Sequence, residues 1–380
     1  MALVNDETVY RRTLSCGTIQ VTGRQQNFLL DDLFDIAERR NPKRAFLFVS
    51  KVLGRHIPVS PSVMRQVYRQ LAEQIPEGMA GPVLVIGMAE TAVGLGAGVF
   101  DELRHRFSES VYLTSTRHPV DGELLCEFKE EHSHATDHLI YLPDEPEMRR
   151  RVCKARTIVL IDDEATTGNT FINLLAALRG THRLANLEQV VTVTLTDWSG
   201  EALTKRCPLP VTPVSLVSGQ WQWTPIPDAP VPVMPFVNVT SRGAVPVTGK
   251  QSWGRLGMTV PARDLGRHIV TFSGERVLVL GTGEFVWEPF LLSERLEAQG
   301  ATVHYSSTTR SPIATGFAIK SAIAFTDNYG LGIPNFVYNV AHQKFDRILL
   351  CTETPAESVD QQLLTALSDV APVVEIVTYE

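Results

Sequence analysis

The chain has 380 residues, enough for two domains that each bury a core without disulfide or metal staples. Lys and Arg number 35 against 42 Asp and Glu, a net charge of −7 that excludes a strongly basic nucleic-acid binder by bulk charge. A hydrophobic content of 44% with 20% charged residues predicts an ordinary globular protein. The five cysteines (Cys16, Cys126, Cys153, Cys207 and Cys351) are scattered and never form a C-x-x-C pair. They argue against a disulfide framework or a zinc knuckle and predict a reducing, cytoplasmic setting.

In chain order, Met1 to Tyr10 carry Asp6 and Glu7 without a basic and apolar pattern, so no secretory leader is expected. Apolar spacing predicts helices over Leu29–Arg39 and Ser62–Gln74, the second opened by Pro61 behind Ser60. Val83–Ile86 is a short apolar run before a glycine, the pattern of a buried parallel strand. The nearly apolar stretch Gly81–Phe100 has membrane-spanning length, but Glu90 near its middle and five glycines favour a strand running into a Gly-rich turn. Strands are expected at Ser110–Thr114, Thr157–Ile161 and Gln189–Leu195, with a helix over Phe171–Leu178. This alternation predicts an α/β domain with a mainly parallel sheet. Prolines then recur at 225, 227, 230, 232, 235 and 246, as in a connector or an arm wrapping one domain onto the other. A second α/β region begins near Arg267, with strands at Val277–Leu280, Val303–Tyr305 and Arg347–Cys351 and a helix over Pro289–Leu296. The resulting division is 1–228, a connector at 229–264, and 265–380.

The most informative segment, residues 157–170, reads TIVLIDDEATTGNT. An apolar strand ends in the carboxylates of Asp162 and Asp163; a short loop and a helix follow. The loop (Ala165, Thr166, Thr167, Gly168, Asn169, Thr170) can turn successive backbone N–H groups toward one point at a helix N-terminus, which makes an anion site suited to phosphate. Gly168 permits the tight turn, and Thr166, Thr167 and Thr170 add hydroxyl donors. Two adjacent carboxylates cannot bind phosphate; they suit a ribose diol or a hydrated Mg²⁺. Phosphate on one side and a diol on the other describe a ribose 5-phosphate.

This segment resembles the 5-phosphoribosyl-1-pyrophosphate (PRPP) signature of the type I phosphoribosyltransferases. The resemblance implies a parallel sheet with helices on both faces and a hood. It also implies that Asp162 and Asp163 hold the ribose hydroxyls and Mg²⁺, with Ala165–Thr170 on the 5′-phosphate. Glu164 replaces the apolar residue common at its position, and its role stays open. Thr166 stands where the purine-salvage branch has an aspartate, so the pattern is closer to the orotate-like branch and disfavours hypoxanthine or guanine as acceptor. Gly87-Met88-Ala89-Glu90-Thr91-Ala92 resembles the family's first loop, which implies a pyrophosphate role for Ala89, Glu90 and Thr91. Arg117 would neutralise the same group. Lys129-Glu130-Glu131-His132-Ser133-His134 falls where the family keeps a catalytic flap, which implies that Lys129, His132 and His134 close over the leaving group. His132, His134 and His138 also admit metal-binding and solvated readings. Arg11–Gly23 and Val214–Thr224 are expected to form the hood; Trp221 and Trp223 would stack on a planar base or pack in the hood core, the second being favoured.

Farther on, Tyr305-Ser-Ser-Thr-Thr309-Arg310-Ser311-Pro312 resembles the domain named for its Thr-Arg-Ser-Pro signature (TRSP), found after a phosphoribosyltransferase domain in stress-response clusters linked to tellurite resistance. The two halves also echo each other. Val83–Glu90 parallels Val277–Glu284, and Tyr112–Pro119 parallels Tyr305–Pro312, with one residue of drift between the two matches. The second domain therefore reads as a diverged copy of the first. It lacks the Asp-Asp pair and the Thr-Thr-Gly loop, so it is not expected to bind PRPP the same way. Packed as a pseudo-dimer, the halves would place Glu284, Arg310, Ser311 and Asp327 around a second pocket; a homodimer is the alternative. Gly281-Thr-Gly283 is no Rossmann fingerprint, because Val286 occupies the third glycine position.

The resemblance implies a Mg²⁺-dependent displacement at C1 of PRPP by a base-like, nitrogen-containing acceptor, with pyrophosphate leaving. No membrane or nucleic-acid partner is expected. A PRPP- or nucleotide-sensing regulator and an enzyme that cleaves a ribosyl bond remain as alternatives.

Overall fold

A computed structural model describes residues 8–26, 28–39, 44–129, 137–230, 233, 235, 237, 239–247 and 253–379. Its first half is built on a sheet ordered Thr8–Thr13, Gly17–Gln26, Val211–Pro225, Gln189–Asp197, Thr157–Ile161, Val83–Gly87, Val111–Thr114. The last five of these strands run parallel, and the first two form an antiparallel hairpin on the edge. Every residue of Val83–Gly87 and Thr157–Ile161 is buried, as strands covered on both faces must be. Between strands run the helices Val93–Leu103, Pro146–Cys153 and Asn169–Gly180. The helix expected behind Ser60 spans Pro61–Gln74 and buries Met64, Val67, Tyr68 and Leu71 at helical spacing.

The expectation of one helix over Leu29–Arg39 is corrected. Only Leu30–Leu33 is helical, and Phe34–Glu38 is a strand paired antiparallel with Phe46–Ser50. The apolar residues there fit a helix by spacing. The edge-to-face contacts of Phe34 on Phe48 and Tyr10, at 4.8 and 5.3 Å between centroids, show the tertiary packing that overrides it. The apolar stretch 81–100 is strand, turn and helix, and no helix among the described residues is long and apolar enough to cross a membrane.

The second half carries a four-stranded parallel sheet ordered Thr302–Ser307, Arg276–Gly281, Arg347–Cys351, Val373–Val377. This repeats the order Val111–Thr114, Val83–Gly87, Thr157–Ile161, Gln189–Asp197 of the first half. Between the equivalent second and third strands in sequence, each half inserts an antiparallel hairpin: Leu124–Lys129 with Asp137–Tyr141, and Ala322–Thr326 with Pro334–Tyr338. Even the isolated bridges correspond, Thr116 to Leu139 and Thr309 to Phe336. Tyr112 Oη donates to the Val93 carbonyl at 2.9 Å, and Tyr305 Oη to the Val286 carbonyl at 2.8 Å.

The halves share one continuous apolar core, in which Tyr68 of the first meets Trp287 and Phe290 of the second. Each half also sends an arm onto the other's outer strand. Val59 exchanges backbone hydrogen bonds with Tyr305, and Met258 does the same with Tyr112. Gly54 and Gly254, with φ of +64° and +91°, each lie against the facing tyrosine ring, where a Cβ would come within 2.6 and 2.9 Å of it. The end of the Pro-rich connector is thus a packed arm, with Trp253 and Arg255 buried.

Candidate active site

After Ile161 the pairing with the neighbouring strand is interrupted for two residues and resumes in the same register: Thr157–Ile161 pairs with Gln189–Val193, and Glu164–Ala165 with Thr196–Asp197. Asp162 and Asp163 fill this gap at the strand's C-terminal end, where both are half-buried. Asp162 Oδ1 accepts from the Asp163 N–H at 2.9 Å. Gly168 caps the next helix with φ 74°, ψ 5°, a left-handed conformation that suits glycine. Among the described residues, no carbonyl or side chain accepts from the backbone N–H groups of Thr166, Thr167 or Gly168. The Asn169 N–H donates only weakly, at 3.4 Å, to Thr167 Oγ1. The expected phosphate loop therefore offers unclaimed amides at the start of Asn169–Gly180, beside two carboxylates.

Glu164, whose role the sequence left open, has a partner. Arg44 donates through Nη2 to both of its oxygens, at 2.7 and 3.1 Å, and through Nη1 to Thr166 Oγ1 at 3.1 Å. The Arg44 guanidinium lies over the rings of Phe46, Phe48 and Trp221. It thus sets a cation beside the Thr166–Gly168 loop from just ahead of the strand Phe46–Ser50. Trp221 and Trp223 are half-buried and pack on Phe46 at centroid distances of 5.0 and 5.1 Å. A small cavity between the two-stranded sheet and the loop is lined by Phe34, Phe48, Ser50, Asp163, Glu164 and Leu195.

The loop after Val83–Gly87 lies at the boundary between the halves. The Ala89 N–H donates to Ser115 Oγ at 2.8 Å, and Thr91 is half-buried. The Glu90 carboxylate is buried. Arg55 donates to its Oε1, and Arg310 of the second half approaches its Oε2 at 3.2 Å. Burial works against this charge, but Arg55, Arg310 and Arg117 hold the carboxyl below the usual carboxylate range. Arg117 is half-buried, and its backbone N–H donates to Glu284 at 2.8 Å. Lys129 ends its hairpin strand, exposed; His132 and His134 lie outside the described residues. His138 is fully buried, stacked on Phe128 at 4.7 Å with Nδ1 3.0 Å from Ser115 Oγ, which makes it a core residue.

In the second half, the four residues expected around a pocket serve separate contacts. Glu284 accepts from Thr116 Oγ1, the Arg117 N–H and Arg255. Arg310 bonds the Val239 carbonyl at 2.6 Å besides Glu90. The Ser311 N–H donates to Thr309 Oγ1, and Asp327 accepts from the N–H groups of Tyr329, Leu331 and Ile333. The strand end equivalent to Asp162 and Asp163 is filled. Arg255 forms two 2.8 Å bonds to Glu353, Tyr329 Oη adds a third at 2.6 Å, and the Asn328 amide ties Thr352 to Thr354. The cleft beside this cluster, about 590 Å³, is lined by His118, Arg242–Val247, Arg255 and Tyr329.

Three arginines that sequence reasoning missed therefore organise the site: Arg44, Arg55 and Arg255. The available signal is the Gly-Arg pair that opens each arm, Gly54-Arg55 and Gly254-Arg255.

Similarity to known proteins follows the same division. Residues 33–220 match the family described as phosphoribosyl transferase, and residues 254–368 match the TRSP domain described as lying C-terminal to it. No curated protein matches the chain. Solved structures similar to it include the adenine phosphoribosyltransferases of Trypanosoma brucei (12% identity, TM-score 0.33, 48% of this chain and 76% of that one) and Rhodothermus marinus (19%, 0.31, 49% and 94%). The enzyme from Giardia lamblia is similar at 15% identity and a TM-score of 0.34, over 49% of this chain and 93% of that one. At these levels the structural likeness says nothing of the acceptor. With its first half matched to the transferases and its second to their C-terminal companion, the chain belongs to the phosphoribosyltransferase family, as an enzyme whose transferase domain is followed by a TRSP domain.

Proposed function

We propose that the enzyme transfers the ribose 5-phosphate of PRPP to a base-like acceptor through nitrogen and releases pyrophosphate. The observation that carries this reading is the set of unclaimed amides at Thr166–Gly168 beside Asp162 and Asp163. Phosphate oxygens satisfy those amides, and the helix N-terminus behind them favours the charge. The carboxylates beside the loop accept from the two ribose hydroxyls and repel a second phosphate, which fixes the direction in which the sugar lies. Arg44 keeps Glu164 neutralised, so the loop retains its preference for anions.

As part-exposed oxygen donors at a strand end, Asp162 and Asp163 also fit Mg²⁺, which keeps most of its waters and takes substrate oxygens. When bound, the ion offsets the charge that builds on pyrophosphate. Opposite the sugar, the loop Ala89–Thr91 and Arg117 receive pyrophosphate. The C1–O bond breaks with its electron pair leaving on pyrophosphate, the acceptor nitrogen forms the new bond to C1, and a proton carried by that nitrogen passes to the departing pyrophosphate or to solvent. Lys129, with His132 and His134 beyond it, would close over the departing group.

Calorimetric titration of the full chain with PRPP and Mg²⁺ tests the site. Binding is expected in the wild type and a loss of about 100-fold or more in Asp162→Asn/Asp163→Asn, from two charge-assisted contacts at about 1.5–3 kcal/mol each. Pyrophosphate release on incubation with a panel of bases then separates turnover from sensing. Release that survives the double substitution removes the assignment.

A further inference from the structure

Glu90 poses a problem for the loop that holds it: an ionised carboxylate sits in the turn offered to pyrophosphate. The structure resolves this through the other half of the molecule. Arg310, 6% exposed, is pinned by the Val239 carbonyl and reaches Glu90 Oε2. Arg55 takes Oε1 while its Nη1 bonds the Gly283 carbonyl and Ser307 Oγ, both of the second half. The carboxylate is thus drawn into the boundary and neutralised there. Arg117 adds a third cation acting on it.

The arrangement is reciprocal. Glu284, the second half's equivalent of Glu90, accepts from Arg255 of its own arm and from Thr116 and Arg117 across the boundary. Each half holds the other's strand-to-helix turn, and the first half's turn lies beside the strand end that carries the proposed sugar site, the Met88 N–H donating to the Ile161 carbonyl.

We infer that Arg310, supplied by the TRSP domain, is a positioning residue that sets the Ala89–Thr91 turn for pyrophosphate. This rests on the transferase reading above, and the test keeps the two apart. The full chain is titrated with ribose 5-phosphate and, separately, with inorganic pyrophosphate and Mg²⁺. Arg310→Ala is expected to weaken pyrophosphate by about tenfold, a loss typical of a removed charge-assisted contact, and to change ribose 5-phosphate by less than about twofold. Arg310→Lys should recover part of the loss, because an ammonium keeps the charge without the fork. In turnover, KM for PRPP should rise more than kcat falls. Unchanged pyrophosphate affinity in Arg310→Ala overturns the inference, and so does a parallel loss of both ligands, which marks a purely structural residue. Should Arg310→Ala fail to fold, Arg310→Lys is judged by the same two titrations. A wild type that binds neither ligand refutes the transferase reading itself.

Discussion

The two halves of this enzyme share a frame and differ in what occupies its strand ends. In the first, Asp162 and Asp163 stand half-exposed beside a loop whose amides at Thr166–Gly168 meet no acceptor among the described residues. In the second, Glu353 and its neighbours Thr352 and Thr354 are fully buried under Tyr329, Asn328 and Arg255. Tyr329 and Asn328 come from the tip of the hairpin Ala322–Tyr338, whose counterpart in the first half carries Lys129, and Arg255 comes from the arm. Identical strand order therefore confers no site. A duplicated sheet can place one copy's loops for chemistry and use the other's to brace them.

The largest effect expected from breaking this contrast is at Arg255, which is 2% exposed and bonded to both Glu284 and Glu353. Arg255→Ala leaves two buried carboxylates without their cation, a loss of about 3–5 kcal/mol. Urea denaturation should show it as a drop in the midpoint of unfolding. A change under about 1 kcal/mol would mean that solvent reaches this cluster, and that the second site is open after all.

A smaller effect is expected at Tyr329. Tyr329→Phe removes the 2.6 Å bond to Glu353 and leaves the ring stacked on His118 at 4.2 Å. The loss should be about 1–2 kcal/mol, since the carboxylate keeps Arg255. Pyrophosphate release should be unchanged if this cluster only braces the fold. A change in the rate without a change in stability would make the second site a participant.

Much of this architecture was legible in the sequence because it is local. The apolar runs at Val83 and Thr157, the glycine after the first and the Asp-Asp-Glu-Ala-Thr-Thr-Gly segment after the second each report their own structure over a few residues. The correspondence of Glu90 with Glu284 and Arg117 with Arg310 was also readable, as spacing. What joins them was not. Arg44 meets Glu164 across 120 positions and Arg255 meets Thr116 across 139, so their roles exist only once the chain is folded. The hairpins failed for the same reason: Leu124–Lys129 pairs across a seven-residue gap with no tight-turn signal, and Phe34–Glu38 fits helical spacing until Phe46–Ser50 pairs with it.

The smallest expected effect sharpens the contrast at one position. Four residues after the matching glutamates, the first half has Gly94 and the second Glu288. A Cβ at Gly94 would make ordinary contact with Val286 Cγ2, at 3.4 Å. Glu288 is buried with Oε2 unpartnered, and burial pushes its carboxyl up to about 8. The folded chain therefore holds a proton here that the unfolded chain releases near an ordinary carboxylate value of about 4.3. Between those values the native state binds more protons, so stability falls as pH rises through the window. Glu288→Gln removes that dependence while keeping the side chain's shape. Its melting temperature should lie nearest the wild type at about pH 5 and below, and exceed it by a margin that grows steadily toward about pH 8. A gap that stays constant across this range would mean that the Glu288 carboxyl is already ionised in the fold, and that the second half's helix start is as hydrated as its burial says it is not.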